Sequence, residues 1–367
     1  MRVLVTGGTG AMGTHLCRQL AEAGNEVFVT TRRDIGNVGG IRFVRGDAKE
    51  ASFLNRLLRE GWDAVIDFMI WGSEEFPSRA ETFLPNTGQY VFLSSYRVYA
   101  ECPVITEESL RLLDVVKDPV YLGTDEYALR KARCEDVLRG SRKTNWTIVR
   151  PAITYDGLTG RLQLCTMESY EWLWRALNGV PIPLPEEMLG KQATMTYAAD
   201  VARMICGLIG NEAAFGETYT TSSSDHITWA EVVRKYQSVL PFEITCCGLE
   251  EFIRVRGGGY QVLYDRMFDR VIDNTKALNA TGLEQSDLTP MEEGLQRELE
   301  KYLAGEVHID ASIGANAFMD VLTGGVPSIR PLLKDSVRRA PASAAKYAIR
   351  RIQGNCRMRG GVGMSKH

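Results

Sequence analysis

No Cys-x-x-Cys pair occurs among the eight cysteines of this 367-residue chain, and Cys246 and Cys247 are adjacent, a spacing at which thiols do not normally bridge. The pattern argues for reduced thiols rather than a disulfide framework. Histidine is scarce: His15, His226, His308 and His367 are scattered without ligand spacing, so no metal site is expected. No apolar run approaches the roughly 18 residues of a membrane span. The first strand pattern starts at Arg2, which leaves no room for a leader segment. The net charge of −3 carries no overall nucleic-acid signature. No internal repeat and no long low-complexity linker interrupt the chain. These absences predict a cytoplasmic, soluble protein with no nucleic-acid partner and no stable membrane insertion.

What is present is an ordinary globular composition, 44% hydrophobic, in a chain long enough for one large α/β domain and a smaller one. Strand and helix patterns alternate up to about residue 155. Strands are read at Arg2–Thr6, Glu26–Thr31, Ile41–Arg45, Ala64–Phe68, Tyr90–Ser94 and Trp146–Arg150, and a helix from Ala11 to the stop at Gly24-Asn25. The Val/Ile/Phe runs suit parallel strands buried on both faces. Met195–Ile209 reads as a short strand and a helix returning to that sheet. The predicted fold is α/β: a Rossmann-type doubly wound parallel sheet with a smaller C-terminal α+β substrate lobe. The boundaries are 1–155 for the sheet domain (completed by about 195–220), 156–305 for the lobe, and 306–367 for a C-terminal extension. That extension is basic. Residues 305–367 hold ten Lys/Arg against four Asp/Glu. Ser336–Ile352 reads as a basic helix with Val337, Ala344, Ala348 and Ile352 apolar. The end from Arg359 reads as flexible. Packing is the plain reading of this helix, with a membrane-surface or partner contact the lesser one.

The opening Thr6-Gly7-Gly8-Thr9-Gly10-Ala11-Met12-Gly13 follows a strand and begins a helix. Glycines there permit a tight turn and let the backbone approach a pyrophosphate, while the helix amino terminus offers free N–H groups to the anion. Gly7, Gly10, Met12 and Gly13 are therefore candidate cofactor contacts. The second strand ends Thr31-Arg32-Arg33, where an NAD site usually places Asp or Glu. Arg32 and Arg33 could pair with a 2′-phosphate, so NADP(H) is expected, with NAD the alternative. They could also be ordinary surface arginines. Phe68 and Met69 should border the cofactor or simply fill the core.

Tyr127 and Lys131 stand at i and i+4, on one face if helical. A free phenol is a poor base at neutral pH. A nearby ammonium favours the phenolate, which makes such a pair competent for proton transfer at a hydroxyl. Upstream, Ser94-Ser95-Tyr96-Arg97-Val98-Tyr99 closes the fifth strand.

The Gly-x-x-Gly-x-x-Gly spacing, the Ser95-x-x-Val98-Tyr99 segment, Tyr127-x-x-x-Lys131, Arg150-Pro151 and the Tyr197/Asp200-Val201-Ala202 run occur in one order. Across residues 1 to about 300 the chain resembles the extended short-chain dehydrogenase/reductase family, in particular its nucleotide-sugar epimerases, dehydratases and reductases. The resemblance implies that Ser95 hydrogen-bonds the reacting oxygen and that Lys131 also holds the nicotinamide ribose. It further implies that Asp47 contacts the adenine and that an arginine of the Tyr264–Lys276 segment binds the nucleotide diphosphate. Arg266 and Arg270 are the candidates, with pairing to Asp265 or Asp269 equally open. Trp172 and Trp174 could stack a base, though packing is the better reading. One departure is informative. The acid and base that follow the hydroxyl residue in 4,6-dehydratases are here Tyr96 and Arg97, which disfavours dehydration. The reading is a nucleotide-sugar epimerase using a bound nicotinamide dinucleotide. The alternative is an NADPH-dependent keto-sugar reductase, and the rival of another class is a non-catalytic nucleotide-binding or RNA-associated scaffold. Homodimerisation is what the family implies.

Overall fold

The structure, a computed structural model, describes residues 1–305, 309–335 and 340–359. The alternating region folds as β1 (Arg2–Thr6), α1 (Ala11–Glu22), β2 (Glu26–Thr31), β3 (Ile41–Arg45), α2 (Ala51–Leu58), β4 (Trp62–Asp67), α3 (Phe76–Phe83) and β5 (Thr87–Leu93). A helix at Tyr127–Arg139 and β6 (Trp146–Val149) follow. With the later strand Glu217–Tyr219 these make a seven-stranded sheet in the order Glu217–Tyr219, β6, β5, β4, β1, β2, β3, every pair parallel. This is the predicted doubly wound α/β sheet.

Side chains alternate between the two faces of each strand, and each face buries its own core. Val3 and Val5 pack with Leu16 and Leu20 of α1 and with Val201, Ile205 and Leu208 of the helix Ala198–Leu208. Leu4 points the other way, among Leu54 and Leu57 of α2, Phe92, and Leu138 of the Tyr127 helix. Each such aliphatic side chain contributes roughly 1.5–3 kcal/mol on full burial.

β4 and β5 begin earlier than their hydrophobic runs. Trp62 pairs with Thr87, so the ladder extends into the polar Thr87-Gly88-Gln89. Gly88 belongs there because a Cβ would lie 2.6 Å from the Asp63 carbonyl oxygen.

Residue contacts divide the described chain into two units. The first comprises residues 1–159, 194–225 and 271–291. It takes in 271–291, which the sequence reading assigned to the lobe. The reason is local: Ile105 N–H donates to the Val271 carbonyl (2.8 Å), Asp273 N–H to the Ile105 carbonyl (2.9 Å), and Arg203 to the Asp287 carbonyl (2.6 Å). The second unit comprises 160–193, 226–270 and the described residues from 292 to 359, so the helices of the C-terminal extension form part of it. Its aromatic core stacks Trp172 on Tyr236 at 4.8 Å between ring centres. The helices Ile313–Leu322, Ile329–Asp335 and Ala340–Arg359 close around Trp174, Ala317, Leu332 and Tyr347. Buried Asp320 ties them, accepting from Arg175 (2.9 Å), Ser328 (2.6 Å) and the Tyr347 hydroxyl (2.5 Å). Both tryptophans therefore pack.

The terminal helix differs from its sequence reading. It packs through Ser343, Tyr347 and Gly354, while Ala348 and Ile352 are exposed and Ala344 is half-buried. Gly354 decides the register, because a Cβ there would come 2.9 Å from Val321 and 3.1 Å from Phe318. Val337 and the end 360–367 lie outside the described residues. Among the described residues no helix is long and apolar enough to cross a membrane.

Candidate active site

β1 and β4 are neighbours although the chain between them builds β2 and β3 on the far side of β1. The carboxyl ends of such a pair open the crevice where doubly wound sheets take ligands. Gly7 leaves β1 at φ +68°, a conformation that favours glycine, and a Cβ on it would come 2.9 Å from the Met69 sulfur. At Gly13 a Cβ would lie 2.5 Å from the Gly8 carbonyl oxygen, so loop and helix close tightly. Gly10 is the opposite case: a Cβ there would meet nothing within 4 Å. No side chain caps α1, and no acidic residue stands in its first turn. An open, uncapped helix amino terminus behind a glycine turn suits a pyrophosphate. The residues present fit a dinucleotide.

Asp67 organises the β4 side, and sequence reasoning missed it. It is fully buried and accepts from Thr6 Oγ1 (2.6 Å), Met69 N–H (3.0 Å), Trp71 Nε1 (2.6 Å) and the Tyr90 hydroxyl (2.7 Å). It thereby fixes the turn carrying Phe68 and Met69, both half-buried beside the sheet. Burial and this carboxylate push the Tyr90 phenol well above its ordinary pKa. Met12 is half-buried against the α1 core. The Asp47 carboxylate, past β3, accepts from Lys49 N–H (2.9 Å). Arg32 and Arg33 follow the last residue of β2 as exposed side chains.

The helix Tyr127–Arg139 brings Tyr127, Lys131 and Glu135 onto one face at i, i+4 and i+8. Lys131 is 2% exposed; its Nζ donates to the Leu93 carbonyl at 2.6 Å and lies 5.9 Å from the Tyr127 ring centre. Tyr127 itself is half-buried. Ser95 lies two residues beyond the carbonyl that Lys131 holds. Its Oγ accepts from the Arg97 N–H at 3.2 Å. That contact leaves the Ser95 hydroxyl hydrogen to be donated elsewhere.

Three further residues shape this corner. Arg97 lies with its guanidinium 5.2 Å from the Tyr127 ring centre, on the side chain's path to Glu126 (2.7 Å). Glu126 caps the Tyr127 helix, accepting from Ala128 N–H at 2.8 Å. Glu135 is completely buried and accepts from Ser94 Oγ (2.6 Å) and from Arg150 Nε (2.8 Å) and Nη2 (2.5 Å). Burial works to raise its carboxyl, but the Arg150 charge and the hydrogen bonds from Arg150 and Ser94 outweigh it and hold it below the ordinary value. The ends of β5 and β6 are thus fastened to the helix that carries Tyr127 and Lys131. The sequence reading named neither residue: the helical period running on from Tyr127 and Lys131 could have reached Glu135, and no local pattern marks Asp67.

Arg266 and Arg270 lie in the second unit, each 3% exposed. Arg266 pairs with Asp265 and donates to the Cys165 carbonyl (2.8 Å) and Gln163 (3.1 Å). Arg270 donates to Asp265 at 3.1 Å. Both arginines pair with Asp265, one of the two alternatives open in the sequence. Among the described residues no His/Cys/Asp/Glu cluster could hold a metal.

Fold and site define a Rossmann-type protein of the short-chain dehydrogenase/reductase class. The profile of the NAD dependent epimerase/dehydratase family matches residues 3–219, and the chain belongs to that enzyme family. Among curated relatives, the chloroplast stem-loop binding protein of 41 kDa b of Arabidopsis thaliana is 28% identical over 246 residues, 62% of this chain and 60% of that protein. This chain thus spans about three fifths of that relative's length. The 2′-dehydrokanamycin reductase of Streptomyces kanamyceticus is 27% identical over 251 residues, 65% of this chain and 67% of the reductase. UDP-glucose 4-epimerase of Streptomyces lividans is 37% identical, but over 73 residues, 18% of this chain and 22% of the epimerase. Among solved structures, UDP-glucuronic acid 4-epimerase from Bacillus cereus, in complex with UDP-glucuronic acid and NAD, superposes with a TM-score of 0.62 at 16% identity. That match covers 83% of this chain and 99% of the epimerase.

The expectation of NADP(H) is corrected by these comparisons. Three structures of similar fold hold NAD: the Bacillus epimerase, an Agrobacterium tumefaciens short-chain dehydrogenase/reductase and MoeE5. Two exposed arginines after a strand do not by themselves make a 2′-phosphate site.

Proposed function

We propose that this protein uses NAD(H) to reduce a keto group on a nucleotide-activated sugar, in preference to epimerising it. The observation that carries the reading is the Tyr127–Lys131 pair, with Lys131 fastened to the Leu93 carbonyl two residues before Ser95, at the same carboxyl ends of the parallel sheet as the open glycine turn. Ser95 would donate its hydroxyl hydrogen to the substrate carbonyl oxygen. Tyr127 would give that oxygen a proton as the carbon is reduced, with the Lys131 ammonium stabilising the phenolate left behind. Lys131 is held for this by the Leu93 carbonyl. A bound nicotinamide would supply the hydride to the carbon. Net reduction is favoured over epimerisation by the reach of the relatives: the reductase aligns over 251 residues and the epimerase over 73.

The test is the nucleotide that stays with the purified protein, read by denaturing release, together with NADH consumption on nucleotide 4-keto sugars. Reversible NADH binding and one NADH consumed per alcohol formed support the reductase. Tightly retained NAD⁺, with sugar isomers interconverting and no net NADH change, replaces it with an epimerase. A second reading, an RNA stem-loop binder that kept the fold, is favoured by the 246-residue alignment with the chloroplast protein. Stem-loop binding that survives Tyr127→Phe, with no turnover of any keto sugar, would select it.

A further inference from the structure

The terminal helix Ala340–Arg359 uses only part of its circumference for packing. Ser343, Tyr347 and Gly354 are buried, with the Tyr347 hydroxyl on Asp320 and Gly354 against Val321 and Phe318. The opposite face carries Ala345, Ile349, Ile352 and Cys356, at i, i+4, i+7 and i+11, and all four are exposed. Ile349 is 57% and Ile352 63% exposed, among the most exposed large apolar side chains of the described residues. The flanks are basic. Lys346 and Arg350 stand on one side of the stripe and Arg359 on the other, all exposed. The helix contains no Asp or Glu in its 20 residues. Among the described residues none of its five basic side chains makes an ion pair. Tyr347, Asp320 and Arg175 lock the buried side, so the free face is held rigidly outward.

We propose that this face docks on an anionic lipid surface, with the basic side chains at the headgroups and Ile349, Ile352 and Cys356 at the acyl boundary. An exposed apolar stripe between cationic flanks, with no acidic residue, is the pattern of a helix lying in a membrane interface. Negative headgroups attract such juxtaposed cations. Two other occupants fit less well. A second copy paired through the same face would set basic side chains against basic side chains. A nucleic-acid backbone would satisfy Lys346 and Arg350 but has no use for two isoleucines at the centre of the face. The helix lies on the surface rather than crossing it, and it belongs to the second unit, whereas Ser95, Tyr127 and Lys131 belong to the first. The inference is independent of the proposed reaction.

The test is flotation of the full chain with phosphatidylcholine vesicles, with and without about a third phosphatidylserine, at low and high salt. Expected is flotation with the anionic vesicles alone, weakened at least tenfold by high salt. Ile349→Glu/Ile352→Glu should abolish it with the melting temperature and any NAD binding unchanged. Lys346→Gln/Arg350→Gln should weaken it by about thirtyfold, taking about 1 kcal/mol for each of the two basic residues at an anionic surface. If the isoleucine variant misfolds, the lysine/arginine variant and the salt series decide the matter. No flotation, or equal flotation with neutral vesicles, overturns the proposal. So does a dimer that dissociates in the isoleucine variant, or stem-loop RNA binding lost with Lys346 and Arg350 but not with the isoleucines.

Discussion

Replacing Glu135 with glutamine tests whether the buried hub behind Tyr127 and Lys131 works as a charge pair. The carboxylate is completely buried, and Arg150, its bidentate partner at 2.5 and 2.8 Å, is 1% exposed. Arg111 and Arg139 approach to 3.5 and 3.6 Å. Glutamine keeps the size and one acceptor for Ser94 but removes the charge, so Glu135→Gln leaves the Arg150 guanidinium uncompensated in the interior. Breaking a buried pair in this way costs about 3–5 kcal/mol. Urea denaturation at pH 7 should show that loss as a lowered midpoint at unchanged slope. Adding Arg150→Met should restore most of it, because a neutral pair of similar volume strands no charge. The pH dependence follows from the carboxyl's depressed folded value. Its contribution is fully present above the ordinary glutamate range and is lost as pH falls through the folded value, so wild type and variant converge in acid. A Glu135→Gln protein within about 0.5 kcal/mol of wild type at pH 7 refutes the reasoning, since surface-like substitutions behave that way. Ser94→Ala is the gentler control, removing one hydrogen bond to a charged acceptor, about 1.5–3 kcal/mol.

Tyr127→Phe should lower turnover about 10²–10⁴-fold, the span of a lost general acid–base group, with NAD affinity unchanged by calorimetry; unchanged turnover removes Tyr127 from the chemistry. Gly13→Ala places a Cβ 2.5 Å from the Gly8 carbonyl oxygen, so the loop must shift: expect about 1–3 kcal/mol of destabilisation and weakened NAD binding, read by thermal melts with and without NAD. Asp320→Ala strands Arg175 in the second unit's core and should cost about 3–5 kcal/mol, read as early tryptic cleavage at Arg350 or Arg351.

The legibility of these features divides along a physical line. Local pattern sufficed for the sheet, because parallel strands buried on both faces leave continuous Val/Ile runs and the turn after β1 demands glycines. It sufficed for the Tyr127–Lys131 face because both residues lie on one helix. It failed where a side chain's role depends on a partner far along the chain. Asp67 reads as one more strand-end acid until Thr6, Trp71 and Tyr90 converge on it, across separations of up to 61 residues. Arg266 and Arg270 read equally well as phosphate ligands or as partners of Asp265, and only the fold buries all three together. Arg32 and Arg33 failed for a related reason: charge at a strand end is local, but a 2′-phosphate site is a shape, and exposed side chains define none. The terminal helix shows the same limit from the other side. A periodic apolar pattern says that a face exists, not which face the rest of the protein uses. Gly354, with room only for hydrogen against Val321 and Phe318, turns the helix so that its isoleucines point to solvent. The most apolar stripe of that helix is therefore the one its own fold leaves unspent.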